Sequence, residues 1–214
     1  MKRKPIMLAF DADGTLTLTA KLLREEGKRE FVRRQMWDAI KYIRDNPDQS
    51  TLLWPKYMRD VTDEIVLEGT FMLRVEPSSI VTQGLLKEVA IIRNMSWNKR
   101  LDTCICTHRG FHSKAVEYTA HWLAEQKASH VIDTIHAIDP AFHPNKLEYL
   151  SSLYPDHDIH LLDDNPLYRT EEVHAHDPRL CIVSEEGVMP CYANQIQFPG
   201  VHTYTRFLRD KLLA

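Results

Sequence analysis

Ile6-Met7-Leu8-Ala9-Phe10-Asp11-Ala12-Asp13-Gly14-Thr15-Leu16 decides how the rest of the chain is read. A run of apolar residues stops abruptly at two aspartates, one residue apart, followed by glycine. A short apolar run bounded by a turn signal reads as a buried strand of a parallel sheet. The Asp-Gly pair marks the turn, and Gly14 permits its tight backbone. Residues 5–10 are therefore expected to form a central strand that delivers Asp11 and Asp13 to its carboxyl end.

The same pattern recurs further along the chain. Residues 101–107 are apolar and end in Thr107-His108-Arg109-Gly110. Residues 159–162 end in Asp163-Asp164-Asn165-Pro166, and weaker strands are expected over 131–138 and 180–183. Between them, helical periodicity covers 80–95, 114–127 and 146–153, and the tail over 203–213 reads as a helix with Phe207, Leu208 and Leu212 on one side. Strands alternating with helices define an α/β fold with a parallel sheet.

One interval breaks the rhythm. About ninety residues separate the first two strands, far more than one crossover needs. Residues 80–95 supply the crossover, which leaves a surplus read as helices over 20–44 and 54–67, parted by Asp45-Asn46-Pro47-Asp48. The expected organisation is an α/β core of residues 1–16 and 77–214 with a small helical cap, residues 17–76, inserted into it.

Bulk properties narrow the function. The chain has 214 residues, 43% of them hydrophobic, and a net charge of -3, so it can bury a core but carries no basic stripe for wrapping nucleic acid. The apolar run after Met1-Lys2-Arg3-Lys4-Pro5 is too short for a secretory signal, and no stretch is long enough to span a membrane. A soluble, cytoplasmic protein is expected. Cys104 and Cys106 fall on one face of a strand and read as buried free thiols; with Cys181 and Cys191 they lack the spacing of a zinc site. The eleven histidines, His174 and His176 among them, likewise show no ligand cluster.

In open parallel sheets, ligands bind beyond the carboxyl ends of the strands. Asp11, Asp13, Thr107, Asp163 and Asp164 all fall at such ends. Carboxylates held together repel one another unless a cation or proton intervenes, and Mg²⁺ suits hard oxygen donors. Phosphoryl transfer needs an in-line nucleophile, charge neutralisation and a proton for the leaving group. Asp11 can be the nucleophile and Asp13 the acid/base. Thr107 can donate to a phosphate oxygen, Lys146 can neutralise charge, and Asp164 with Asp163 can hold the metal. Thr15, His108 and Arg109 are candidates for substrate contacts. Lys114 competes with Lys146, and Arg24, Arg33 and Arg34 are candidate anion contacts from the cap.

These stretches resemble the haloacid dehalogenase superfamily of phosphohydrolases. Phe10-Asp11-Ala12-Asp13-Gly14-Thr15-Leu16 is similar to its first motif, Thr107 to its second, Pro144-Asn145-Lys146 to its third, and Leu161-Leu162-Asp163-Asp164-Asn165-Pro166 to its fourth. The resemblance implies a three-layer Rossmann-like core, Mg²⁺ and a covalent phospho-aspartate on Asp11. It also implies metal ligation by Asp11, by the backbone carbonyl of Asp13 and by a fourth-motif acid. Asp164 is favoured over Asp163 for direct contact, though the sequence does not decide between them. A small phosphorylated metabolite is the expected substrate, with a nucleoside monophosphate the favoured case. The alternatives are a 3′-phosphatase acting on nucleic-acid ends and a catalytically silent binding protein. Dehalogenases and phosphonatases of the family lack the second aspartate, so Asp13 argues against them.

Overall fold

A computed structural model describes residues 4–95, 101–164, 167, 177–182, 196–197 and 201–213. Val183, Asn165, Pro166, His174, His176 and Cys191 lie outside the described residues. Among those described, no helix is long and apolar enough to cross a membrane.

Six strands form one parallel sheet: β1 (Ile6–Phe10), β2 (Leu101–Thr107), β3 (Thr134–Ala137), β4 (Asp158–Leu162), β5 (Leu180–Ile182) and β6 (Ile196–Gln197). Their spatial order is β3-β2-β1-β4-β5-β6, with each neighbouring pair parallel. The order reverses at β1, which pairs with β2 on one side and β4 on the other. Such a reversal opens a crevice at the strands' carboxyl ends.

Alternation along β1 explains the layers. Leu8 and Phe10 join one apolar cluster, whereas Met7 and Ala9 join another. The first cluster takes in helices α5 (Leu85–Met95), α6 (Ala115–Glu125) and α8 (Val201–Leu213). The second takes in α7 (Lys146–Leu153) through Leu147 and Leu150. This is the three-layer Rossmann-like arrangement expected from the sequence. Cys104, Cys106 and Cys181 are buried free thiols.

Between β1 and α5 lie α1 (Thr19–Arg33), α2 (Trp37–Asp45), α3 (Lys56–Glu68) and the short α4 (Ser79–Thr82). The first three share a small core of Phe31, Ala39, Ile43, Trp54, Met58 and Val61. The chain leaves the sheet and returns to it side by side: Leu18 N–H donates to Glu76 O, and Ser78 N–H donates to Leu16 O, each at 2.9 Å.

The elements differ from the sequence reading in four notable places. The helix expected over 20–44 is two helices, because Gln35 adopts a left-handed φ of 55° and breaks the run. The helix expected over 80–95 is interrupted before Leu85, where Gly84 has φ 99°. Val131 and Ile132 are core residues preceding β3 rather than part of it. The two-residue β6 was not foreseen; a strand that short has no period to read.

Candidate active site

The turn after β1 is built by hydroxyls as much as by glycine. Thr17 Oγ1 donates to Ala12 O at 2.8 Å, and Gly14, at φ 75°, donates its N–H to Thr17 O at 3.1 Å. A side chain on Gly14 would strike the Asp164 carboxylate, so glycine here brings the first and fourth motifs into contact. Thr15 Oγ1 accepts the Asp164 N–H at 3.1 Å, and Asp11 N–H donates to Leu162 O at 2.9 Å.

Lys146 arrives from the other side of the sheet. Asn145 caps α7, its side chain accepting the Leu147 N–H at 2.9 Å, and places Lys146 in the first turn. Its ammonium lies 2.8 Å from Asp11 Oδ1 and 2.9 Å from Asp163 Oδ2. None of the three side chains exceeds 3% exposure. Lys114, the competing lysine, precedes α6 and is exposed.

Asp11, Asp163 and Asp164 each offer an oxygen, all within 4.8 Å of one another. Burial, only partly opposed by the Lys146 charge, drives the Asp11 carboxyl well above its ordinary range, and the neighbouring carboxylates push it further. Burial and the Asp163 charge raise Asp164 to about 7. Asp11 Oδ1 is buried and has the Lys146 ammonium, at 2.8 Å, as its partner. One ammonium thus serves three packed carboxyl groups. A hard divalent cation with oxygen ligands fits this donor set.

Asp13 is engaged elsewhere. Its carboxylate is gripped by Arg109, with Nη2 donating to Oδ1 at 2.6 Å and Nε to Oδ2 at 2.8 Å. Thr19 Oγ1 donates to Oδ1 at 2.6 Å, and Thr107 Oγ1 lies 3.5 Å from Oδ2. Burial pushes the Asp13 carboxyl up, but the Arg109 charge and these hydrogen bonds outweigh it and hold the group below its ordinary value. Its carboxylate is not part of the three-acid cluster.

His108 turns its ring to His143 O at 3.0 Å, and burial together with the Lys146 charge lowers it to about 3, so it is neutral. Among the anion candidates, Arg24 donates to Gln49 O, Arg33 to Glu30, and Arg34 to Glu30 and Glu64. All three are engaged within the helical segment. Thr19 was not singled out from the sequence. Its signal was the alternation Thr15-Leu16-Thr17-Leu18-Thr19, which lines up three hydroxyls behind the turn; all three are buried.

No family model matches the chain, and no curated protein does either. Solved structures do match, and they define a class: the chain has the fold of the haloacid dehalogenase-like hydrolases. A haloacid dehalogenase-like hydrolase from Streptococcus pneumoniae superposes with a TM-score of 0.50 at 15% identity, over 95% of this chain and 98% of that one. A HAD-superfamily hydrolase from Ehrlichia chaffeensis gives a TM-score of 0.50 at 9% identity over 100% of both chains. L-2-haloacid dehalogenase from Xanthobacter autotrophicus, with chloropropionic acid covalently bound, gives 0.43 at 12% identity, covering 97% and 99%.

Proposed function

We propose that this chain is a Mg²⁺-dependent phosphatase that hydrolyses a phosphomonoester of a small metabolite through an aspartyl-phosphate on Asp11. The observation that carries this is the placement of Lys146 between Asp11 and Asp163, with Asp164 beside them, at the carboxyl ends of β1 and β4. Asp11, Asp163 and Asp164 would hold the ion. When bound, Mg²⁺ supplies positive charge against the phosphate oxygens and against the clustered acids.

In the first step an Asp11 oxygen forms a bond to phosphorus as the ester P–O bond breaks, and Asp13 gives its proton to the departing oxygen. In the second, Asp13 takes a proton from water, the water oxygen bonds to phosphorus, and the acyl-phosphate bond opens to release inorganic phosphate and restore Asp11. Lys146 stabilises the charge on Asp11 and on the phosphoryl group. Thr107 donates its hydroxyl to a phosphate oxygen. In the substrate-free state Asp13 is an anion; an incoming phosphate dianion in a dry site favours its protonation, as the first step requires.

Residues 17–76 are the proposed cap. Thr19, at the start of α1, reaches Asp13, so a movement of this segment is felt at the acid/base. Because Asp11, the nucleophile, is buried, substrate enters when the cap opens and water leaves when it closes. A nucleoside monophosphate is the favoured substrate.

The test is hydrolysis of a panel of phosphate esters with and without Mg²⁺, for the wild type and D11N. Turnover by the wild type with Mg²⁺, lost in D11N, is expected. A folded, metal-supplied wild type that releases phosphate from none of the esters would refute the proposal.

A further inference from the structure

Arg109 follows Thr107 by two residues, and an arginine there is an obvious hand for the substrate phosphate. The geometry points to a different role. We propose that Arg109 is the positioning residue of Asp13, holding its carboxylate in the orientation that proton transfer to the leaving group requires. This inference rests on the phosphatase reading.

The guanidinium is enclosed. Nε and Nη2 donate to the two Asp13 oxygens, and Nη1 lies 3.3 Å from Thr119 Oγ1 on α6. The guanidinium carbon sits 5.6 Å over the Phe71 ring. Thr119 and Phe71 are themselves buried. Across the pair the Arg109 side chain is 2% exposed and that of Asp13 is 31% exposed. The open edge is therefore the carboxylate's, and the arginine stands behind it. A phosphate could reach this guanidinium only by displacing Asp13.

The fork geometry is what gives the arrangement its use. Two parallel N–H bonds fix both the position and the plane of a carboxylate, which a single hydroxyl such as Thr19 cannot do. A general acid works only within about 2.6–3.2 Å of the atom it protonates. A misplacement of about 1 Å can cost on the order of a hundredfold in rate. Thr119 and Phe71 brace the guanidinium from α6 and from residues 70–73 after α3, so Asp13 is aimed from behind, away from its open edge.

Leaving groups separate the two roles. An aryl phosphate such as 4-nitrophenyl phosphate departs without a proton, whereas an alkyl phosphate needs one. The quantity kcat/KM reports the steps up to loss of the leaving group. The wild type, R109K, R109A, D13N and R109K/D13N are compared on 4-nitrophenyl phosphate and on the alkyl phosphate the wild type takes best. R109K is expected to lower kcat/KM for the alkyl ester by about a hundredfold and for the aryl ester by less than about tenfold. Its loss should not exceed that of D13N, and adding R109K to D13N should cost little more. R109K keeps the charge and carries the test should R109A not fold; T119V, which removes only the brace, should shift kcat/KM in the same direction by a smaller factor. Equal losses on the two esters, or full additivity with D13N, would overturn the inference in favour of phosphate binding or general damage. A wild type inactive on both esters would instead remove the phosphatase reading, and this inference with it.

Discussion

Replacing Lys146 with methionine isolates the electrostatic knot at the centre of the site. The substitution keeps the apolar stem and deletes the ammonium that sits 2.8 Å from Asp11 and 2.9 Å from Asp163. All three side chains are almost wholly buried, so solvent screens them little. Breaking a buried ion pair by removing one partner typically costs about 3–5 kcal/mol, because the remaining charge is left without compensation. Here two carboxylates are left. At about 2–4 °C per kcal/mol for a chain of this size, the melting temperature should fall by about 6–20 °C at neutral pH without metal.

The sign of the pH dependence follows from the carboxyls. Burial already holds Asp11 above its ordinary 3.8, and loss of the ammonium raises it further. A carboxyl whose folded pKa exceeds its unfolded value costs stability above the unfolded value; below it, both states carry the proton and the cost vanishes. Lys146 is itself raised above its ordinary 10.5, so it carries its charge in both folded and unfolded states across the acid and neutral range and adds no titration of its own there. The gap between wild type and K146M should therefore be largest near neutrality and shrink towards about pH 4. Urea unfolding in a chelator at both pH values measures it. An equal loss at both, or a loss under about 1 kcal/mol at neutral pH, would show that packing rather than charge compensation places this lysine.

Gly14→Ala should lose about 1–2 kcal/mol from the left-handed backbone alone, read by urea unfolding in a chelator, and it should also weaken metal binding, because the new methyl group strikes Asp164, read by calorimetric titration with Mg²⁺ against the wild type. Asp164, raised to about 7, and Asp11, raised well above its ordinary range, must both lose their protons to ligate, so Mg²⁺ affinity should climb by about tenfold or more per pH unit below about 7, with proton release detected in buffers of different ionisation heat. Cys104 and Cys181 are buried, and burial raises their thiols to about 12 and about 11, so neither should react with a thiol reagent until the protein unfolds, as peptide mapping of the labelled sites will report.

Much of this was legible in the chain because burial and chemistry coincide at strand ends. The run Ile6–Phe10 has to be buried to exist as a strand, and its alternation assigns Leu8 and Phe10 to one layer and Met7 and Ala9 to the other. Lys146 was recognisable from the resemblance of Pro144-Asn145-Lys146 to the family's third motif; that Asn145 caps α7 and so sets its turn of helix came from the structure. What the sequence hid was pairing across space. Arg109 was legible as a cation near the site, but nothing local says that it grips Asp13 from behind rather than facing solvent. The kink at Gln35 was equally hidden, since no glycine or proline marks it and the tertiary packing of α1 against α3 decides where the helix breaks. Pairing of residues 16–18 with 76–78 depends on contacts about sixty positions apart, beyond the reach of any local pattern.

The central claim is that Asp11 becomes phosphorylated. Its most direct measurement is mass spectrometry of protein quenched in acid during turnover of a phosphate ester with Mg²⁺, where acyl phosphates survive long enough for rapid digestion. The expected result is one phosphoryl group on the peptide carrying Asp11, absent in D11N and enriched in D13N, which forms the intermediate from an aryl ester but cannot activate water to clear it. Turnover without any phosphopeptide, or a phosphoryl group on another residue, would contradict the account.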